Sequence, residues 1–227
     1  ALMNMMVKNE AQTGVAIVME VKTGKIKAIA NLGKVGEGKY TEDLNYAITP
    51  TEPGSTFKLV TLLSALEDGK VNLNSRVNLE GGVWKVSGQT VYDSEKHGKF
   101  DASILEAFEE SSNVGMAKIA MMHYSNNVNE YFKHLTKLRL DSTSGLDLVG
   151  ERQPRLVKPG SRLWGPTTLP WMAFGYNIEI TPLQTLNLYN TIANNGIMMR
   201  PYLVNSIQEE GKIIKSISPK VYNAQLC

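Results

Sequence analysis

Ser55 and Lys58 stand three residues apart at the head of a strongly apolar stretch, and no other pair in the sequence offers so direct a route to covalent chemistry. Lys58 is the one cation between Phe57 and Leu66. An ammonium sunk among apolar neighbours is costly unless it gives up its proton or finds a partner. Residues i and i+3 share a helical face, so Ser55 Oγ and Lys58 Nζ can meet. A lysine that loses its proton near neutral pH can take the serine's proton and make the hydroxyl a nucleophile. Backbone N–H groups left free at a helix start also favour the negative charge of a tetrahedral intermediate. The spacing alone is weak, because roughly one Ser-x-x-Lys is expected by chance in a chain of this length. Its bland reading is a capping serine and a lysine reaching to the surface. The apolar setting of Lys58 and the lead-in Glu52-Pro53-Gly54 favour the chemical one.

The elements that must hold this pair follow from hydrophobic period and breakers. Ser55 to Asp68 is apolar around most of its circumference, as in a buried helix, and Gly69 is its stop. Ahead of it, residues 15–21 and 26–30 read as strands of a β-hairpin around Lys22-Thr23-Gly24-Lys25, and 33–54 reads as loop. Short strands and turns are expected over 70–100, then helices at about 103–110, 113–124 and 126–138. The Gly-, Pro-, Ser- and Thr-rich stretch 141–170 reads as a long irregular connection of the kind that borders functional sites. Thr181-Pro182-Leu183-Gln184 carries the cap and first-turn proline of a helix ending at Asn195-Gly196. A last hairpin turns at Glu210-Gly211 between 202–208 and 212–217. Strand, helices and strands in that order predict an α+β fold. The chain reads as one partial domain: an N-terminal hairpin over 1–32, a mostly helical region over 33–200, and a final hairpin with a truncated end over 201–227.

Composition sets outer bounds. The 227 residues are 42% hydrophobic and 20% charged, those of an ordinary folded domain. The net charge of +2 and the lack of basic clusters interleaved with aromatics exclude a nucleic-acid partner. The lone thiol, Cys227, cannot form an internal disulfide. No segment approaches the roughly 18 apolar residues of a membrane span, and the first residues lack the layout of a secretion signal.

Two further blocks change the weight of the Ser-x-x-Lys pair. Glu52-Pro53-Gly54-Ser55-Thr56-Phe57-Lys58 resembles the nucleophile motif of class B penicillin-binding proteins, and Ser111-Ser112-Asn113-Val114-Gly115-Met116 resembles their second motif. Gly175-Tyr176, then Thr181-Pro182-Leu183-Gln184, Tyr189, Ala193, Asn194 and Gly196, is similar to a third block. The resemblance runs in order from about residue 12 to 222 and is nearer the division-type members than the elongation type. A second Ser-x-Asn, Ser125-Asn126-Asn127, falls between two helical patterns and reads as a stop-and-cap pair. Ser111 and Asn113 are therefore preferred, against the bland alternative that Ser111 or Ser112 only caps a helix. The resemblance implies a penicillin-binding transpeptidase fold, a helical cluster on an antiparallel sheet, and a peptidoglycan D,D-transpeptidase acting on stem peptides. It implies Ser55 as nucleophile, Lys58 as base, Ser111 as proton relay to the leaving amine, and Asn113 bonded to the substrate amide and Lys58. It further implies trapping by β-lactam antibiotics, membrane partners in cell division, and a place on the extracytoplasmic face of the membrane with an anchor outside these residues. No cofactor or metal is implied.

Lys22-Thr23-Gly24 matches the family's Lys-Thr-Gly literally, but it precedes Ser-x-Asn and sits in a hairpin turn, where Thr-Gly is expected for backbone reasons. No Lys-Thr-Gly or Lys-Ser-Gly follows Asn113. The expectation is a fragment, truncated at both ends, with little or no transpeptidation or penicillin acylation. A fully labelled band with a fluorescent penicillin contradicts it. Two rivals stand beside the main reading. One is a β-lactamase, carboxypeptidase or β-lactam sensor sharing the nucleophile; no water-activating glutamate of the class A β-lactamases is identified for it, although Glu151 lies in the irregular loop after the second motif. The other is a non-catalytic cell-wall scaffold. His97, His123 and His134 have no metal-ligand spacing, and Trp164, Trp171, Tyr176 and Tyr189 read as core rather than groove.

Overall fold

The structure is a computed structural model and describes residues 1–95 and 97–223. Cys227 lies outside the described residues. In chain order the elements are α1 (Leu2–Lys8), β1 (Thr13–Met19), β2 (Ile26–Gly36), β3 (Lys39–Thr41), α2 (Lys58–Glu67), β4 (Arg76–Asn78), β5 (Val83–Val86), β6 (Gln89–Tyr92), β7 (Asp101–Ser103), α3 (Ile104–Glu109), α4 (Asn113–Tyr124), α5 (Val128–Lys137), β8 (Arg155–Leu156), α6 (Thr168–Met172), β9 (Ile178–Glu179), α7 (Pro182–Ala193), β10 (Met198–Met199), β11 (Ser206–Glu209), β12 (Lys212–Ser216) and β13 (Val221–Asn223). They pack as two compact units, one formed by 1–51, 138–154 and 180–227, the other by 52–137 and 155–179.

The first unit is organised by the antiparallel sheet β1-β2-β3. Ile17 pairs with Ile29 in the β1–β2 register. Met19 and Ile26 pack with Ile48, Leu146 and Leu183 into a common core. The loop expected from residue 33 is in part sheet: β2 continues to Gly36, and Lys34 pairs with Tyr40 of β3. Three glycines between 33 and 38 hide that extension, because they remove the side chains from which a strand period is read. Helix α7 opens with the expected capping box, Thr181 and Gln184 each bonding the other's backbone N–H, with Pro182 in the first turn. The β11–β12 hairpin turns through Glu210 and Gly211, both at positive φ, as a two-residue primed turn requires.

The second unit is built around α4, whose Val114, Met116, Ala117, Ile119 and Ala120 have no exposed surface. Burial reaches most of the way round this helix, with Met122 exposed near its end, so its period carries little information. It packs against α2, α3, α5 and α6. Polar groups inside this unit are paired with economy. Thr61 Oγ1 donates to Ala173 O (2.9 Å) and therefore accepts from Tyr131 OH (2.7 Å), since a hydroxyl has one hydrogen. Tyr131 also stacks at a tilt on Tyr124, with centroids 5.3 Å apart. These contacts anchor α2 against α5 and fix the helix that carries Lys58.

Candidate active site

The path into α2 explains why Ser55 is open and Lys58 is not. Pro53 sits at φ −73°, Gly54 at φ +55°, and residues Gly54–Phe57 form a 3₁₀ turn that runs into α2. Thr56 Oγ1 donates to Pro53 O (2.8 Å) and the Phe57 ring is buried, so the turn is pinned from both sides. Gly54 N–H donates to Gly175 O (3.2 Å). A Cβ on Gly175 would fall 2.0 Å from Gly54 O, so only glycine lets the two backbones meet there. Ser55 is exposed on this turn, while Lys58, one turn further, is 1% exposed. The i,i+3 relation brings Nζ of Lys58 to 3.0 Å from Ser55 Oγ.

Ser111 arrives from the other direction. It follows α3 with its N–H on Phe108 O (3.0 Å), in the left-handed region at φ +54°. That conformation is uncommon for a residue with a Cβ and costs on the order of 1–2 kcal/mol. It turns two acceptors onto the same amine: Ser111 Oγ lies 2.9 Å from Lys58 Nζ, and Lys58 Nζ also donates to Ser111 O. Burial lowers the Lys58 pKa from 10.5 to about 8, against the opposing pull of the Asp93 charge. An unprotonated amine has two hydrogens and one lone pair. The Ser111 carbonyl and hydroxyl take the hydrogens, and the lone pair is left for the Ser55 hydroxyl proton. That is the arrangement a general base needs.

Ser112 and Asn113 divide the remaining work. Ser112 is the N-cap of α4, its Oγ accepting from Gly115 N–H (2.8 Å), which frees Ser111 from any capping role. The amide of Asn113 donates to Tyr92 O (2.7 Å), whereas the acceptors on Lys58 Nζ are those of Ser55 and Ser111. The bond from Asn113 to Lys58 expected from the resemblance is thus not formed. The residue that sequence reasoning missed is Asp93, at the end of β6. Its Oδ2 accepts from Ser112 Oγ (2.8 Å) and faces His97 Nε2 (2.8 Å), and its Oδ1 accepts from Val114 N–H (2.9 Å). Nineteen residues separate Asp93 from Ser112. No motif spacing links them; Asp93 follows β6, which pairs with β5, and Tyr92 O accepts from Asn113 Nδ2 at the head of α4.

The remaining candidates resolve simply. Lys22-Thr23-Gly24 is the β1–β2 turn of the first unit, with Gly24 at φ +76° and its would-be Cβ 2.5 Å from Arg200 O. Thr23 Oγ1 bonds the Glu20 carboxylate and accepts from Lys25 N–H (3.2 Å). Glu151 accepts the Ser144 N–H (2.7 Å), so its carboxylate braces a loop. Ser125 is the C-cap of α4. His134 pairs with Asp68 (2.9 Å). Among the described residues no group of His, Cys, Asp and Glu could hold a metal ion. Trp171 joins the core around Phe174 and Val114, whereas Tyr176 and Tyr189 are exposed, so of these three the expectation of a core aromatic holds for Trp171 alone. No helix among the described residues is long and apolar enough to cross a membrane.

Comparison with known proteins agrees with this geometry. Residues 14–226 match the family described as the penicillin binding protein transpeptidase domain. The chain is 32% identical over 97% of its length to the peptidoglycan D,D-transpeptidase FtsI of Buchnera aphidicola, covering 38% of that protein. It is 30% identical over 91% of its length to FtsI of Escherichia coli, covering 34% of it. The chain therefore spans little more than a third of the length of these relatives. In fold it superposes on penicillin-binding protein 2B of Streptococcus pneumoniae with a TM-score of 0.81 at 23% identity, over 98% of this chain and 41% of that one. It superposes on the transpeptidase domain of penicillin-binding protein 3 from Burkholderia pseudomallei with a TM-score of 0.76 at 24% identity, over 97% and 60%. An α+β chain that sets a serine and a buried lysine one turn apart, and that aligns with these proteins along nearly its whole length, belongs to the penicillin-binding protein transpeptidase domain family.

Proposed function

We propose that these residues form the acyl-transfer site of a peptidoglycan D,D-transpeptidase, with Ser55 as nucleophile, Lys58 as base, Ser111 as relay and Asn113 as a substrate-amide contact. The observation that carries the reading is the buried Lys58 amine held between Ser55 Oγ and Ser111 Oγ, at 3.0 and 2.9 Å. In the first step Ser55 gives its proton to Lys58 Nζ, and Oγ bonds to the penultimate D-alanine carbonyl of a stem peptide. The C–N bond to the terminal D-alanine breaks, and the leaving amine takes its proton from Lys58 by way of Ser111. In the second step an amine from a neighbouring stem peptide attacks the ester. Its proton returns along the same path to Ser55 as the ester C–O bond breaks. A β-lactam enters the first step through its strained amide and remains as an ester on Ser55. The names of the FtsI relatives support the substrate class. By the same likeness the site works in cell division, with membrane partners, on the extracytoplasmic face of the membrane.

The 227 residues hold no Lys-Thr-Gly or Lys-Ser-Gly after Asn113. Acylation of Ser55 is read by peptide mass spectrometry after prolonged exposure to concentrated penicillin. The expected result is an adduct on the peptide containing Ser55, absent from Ser55→Ala. An adduct that persists in Ser55→Ala, or no adduct on either protein, overturns the reading.

A further inference from the structure

We propose that Asp93 is a positioning residue for the acyl-transfer site: by holding Ser112 Oγ and Val114 N–H, its carboxylate keeps Ser111 in the left-handed conformation that turns its hydroxyl and carbonyl onto Lys58. The inference rests on the functional reading above and adds to it a residue that touches neither substrate nor nucleophile.

The geometry is that of a clamp on both sides of one strained residue. Ser111 is at φ +54°, and a serine placed there drifts to an ordinary backbone region unless its neighbours over-determine it. On its C-terminal side the next polar groups, Ser112 Oγ–H and Val114 N–H, both end on Asp93, on Oδ2 and Oδ1 respectively. A two-point grip of this kind fixes orientation as well as distance. On the N-terminal side Ser111 N–H is tied to Phe108 O and Ser112 N–H to Ala107 O (2.9 Å). Release of the Asp93 grip leaves the C-terminal side held by Gly115 N–H on Ser112 Oγ within α4 and by Asn113 Nδ2 on Tyr92 O, with neither the Ser112 Oγ hydrogen nor Val114 N–H tied to β6.

Asp93 is itself held rigidly. Its side chain is 3% exposed, so the carboxylate must be satisfied by protein donors. A third donor comes from His97. Lys99 N–H donates to His97 Nδ1 (3.0 Å), which leaves the Nε2 hydrogen to point at Asp93 Oδ2 (2.8 Å). The backbone is fixed as well, Asp93 N–H donating to Gly82 O (2.9 Å) and the preceding Tyr92 O accepting from Asn113 Nδ2. Lys99 N–H, His97, Asp93 and Ser112 thus form one hydrogen-bonded line that ends beside Ser111. The plain alternative is that Asp93 only caps α4 and stabilises it against fraying.

Two measurements on the full chain separate these readings. The first is the Ser111 HN–Hα coupling with its Cα and Cβ shifts, which report φ, in the unsubstituted protein and in Asp93→Ala. The proposal requires the left-handed signature to be lost in Asp93→Ala; a Ser111 that keeps it overturns the proposal. The second is Ser55 acylation by penicillin in a double-mutant cycle. Asp93→Ala is expected to slow acylation about tenfold or more alone, and less than about threefold in a Ser111→Ala background, because it acts through Ser111. Equal slowing in both backgrounds is the result of a cap alone and overturns the proposal. Should Asp93→Ala fail to fold, Asp93→Asn retains volume and one acceptor and is read in the same way. If the unsubstituted chain never acylates, the functional reading fails, and the Ser111 signature still decides the role of Asp93.

Discussion

The hydroxyl of Ser111 lies 2.9 Å from the amine of Lys58, although 53 residues separate them in sequence. With Ser55 on the other side of the same nitrogen, this contact makes Lys58 a shared proton station for two hydroxyls. In the proposed mechanism Ser111 connects the base to the group that leaves or attacks at the Ser55 ester.

Replacing the base tests that station and its energetic cost together. Lys58→Met should slow Ser55 acylation by about 10²–10⁴, the usual contribution of a general base. The charged, buried amine also destabilises the fold. The unfolded chain holds the lysine proton up to about pH 10.5 and the folded chain releases it at about 8, so between those values the unfolded state binds more protons and stability rises with pH. The Lys58→Met variant is therefore expected to gain most over the unsubstituted protein below pH 8, and the advantage should shrink by roughly 3 kcal/mol as pH passes 10.5. Denaturant unfolding at both ends of that window checks it.

At position 111 the hydroxyl and the backbone can be separated. Ser111→Ala and Ser111→Gly both delete the relay oxygen and should slow acylation by similar factors, about 10². Only glycine is at ease at φ +54°, so Ser111→Gly should be more stable than Ser111→Ala by about 1 kcal/mol. Urea midpoints and acylation rates of the two variants are the measurement; an alanine variant as stable as glycine contradicts the strained conformation.

Gly175→Ala has no room. The added methyl falls 2.0 Å from Gly54 O, and the Gly54–Gly175 hydrogen bond that anchors the nucleophile turn must break. The variant should lose Ser55 acylation and unfold at lower denaturant, whereas Gly165→Ala, with open space at its Cβ, should lose neither.

Away from the site, Thr181→Ala removes the hydroxyl of the α7 capping box. It should cost about 1 kcal/mol of stability, with Thr181→Ser recovering most of it.

How much of this was legible in the sequence depends on whether the cause was local. The Ser55–Lys58 contact follows from helical spacing, and the α7 cap from Thr181, Pro182 and Gln184 in adjacent positions. Helices α3, α4 and α5 fall within two residues of their expected bounds, because their breakers sit in the chain itself. Motif context favoured Ser111 over Ser125, and Ser111 is the one beside Lys58, although no motif shows that its carbonyl joins the hydroxyl there. Asp93 was invisible, since its partners Ser112 and Val114 lie far along the chain at a separation that no residue period encodes. The β2 extension was lost to glycines, and the expected Asn113–Lys58 bond gave way to Tyr92 O, a backbone acceptor that side-chain motifs do not record.

In the proposed mechanism the buried Lys58 amine, at a pKa of about 8, takes the Ser55 proton. The most direct measurement is the rate of Ser55 acylation by penicillin from about pH 6 to 10, followed by peptide mass spectrometry. The rate is expected to climb with pH, reach half its maximum near pH 8 and then level, with Lys58→Arg showing no such step. A rate that is flat across the range, or a step that survives in Lys58→Arg, contradicts it.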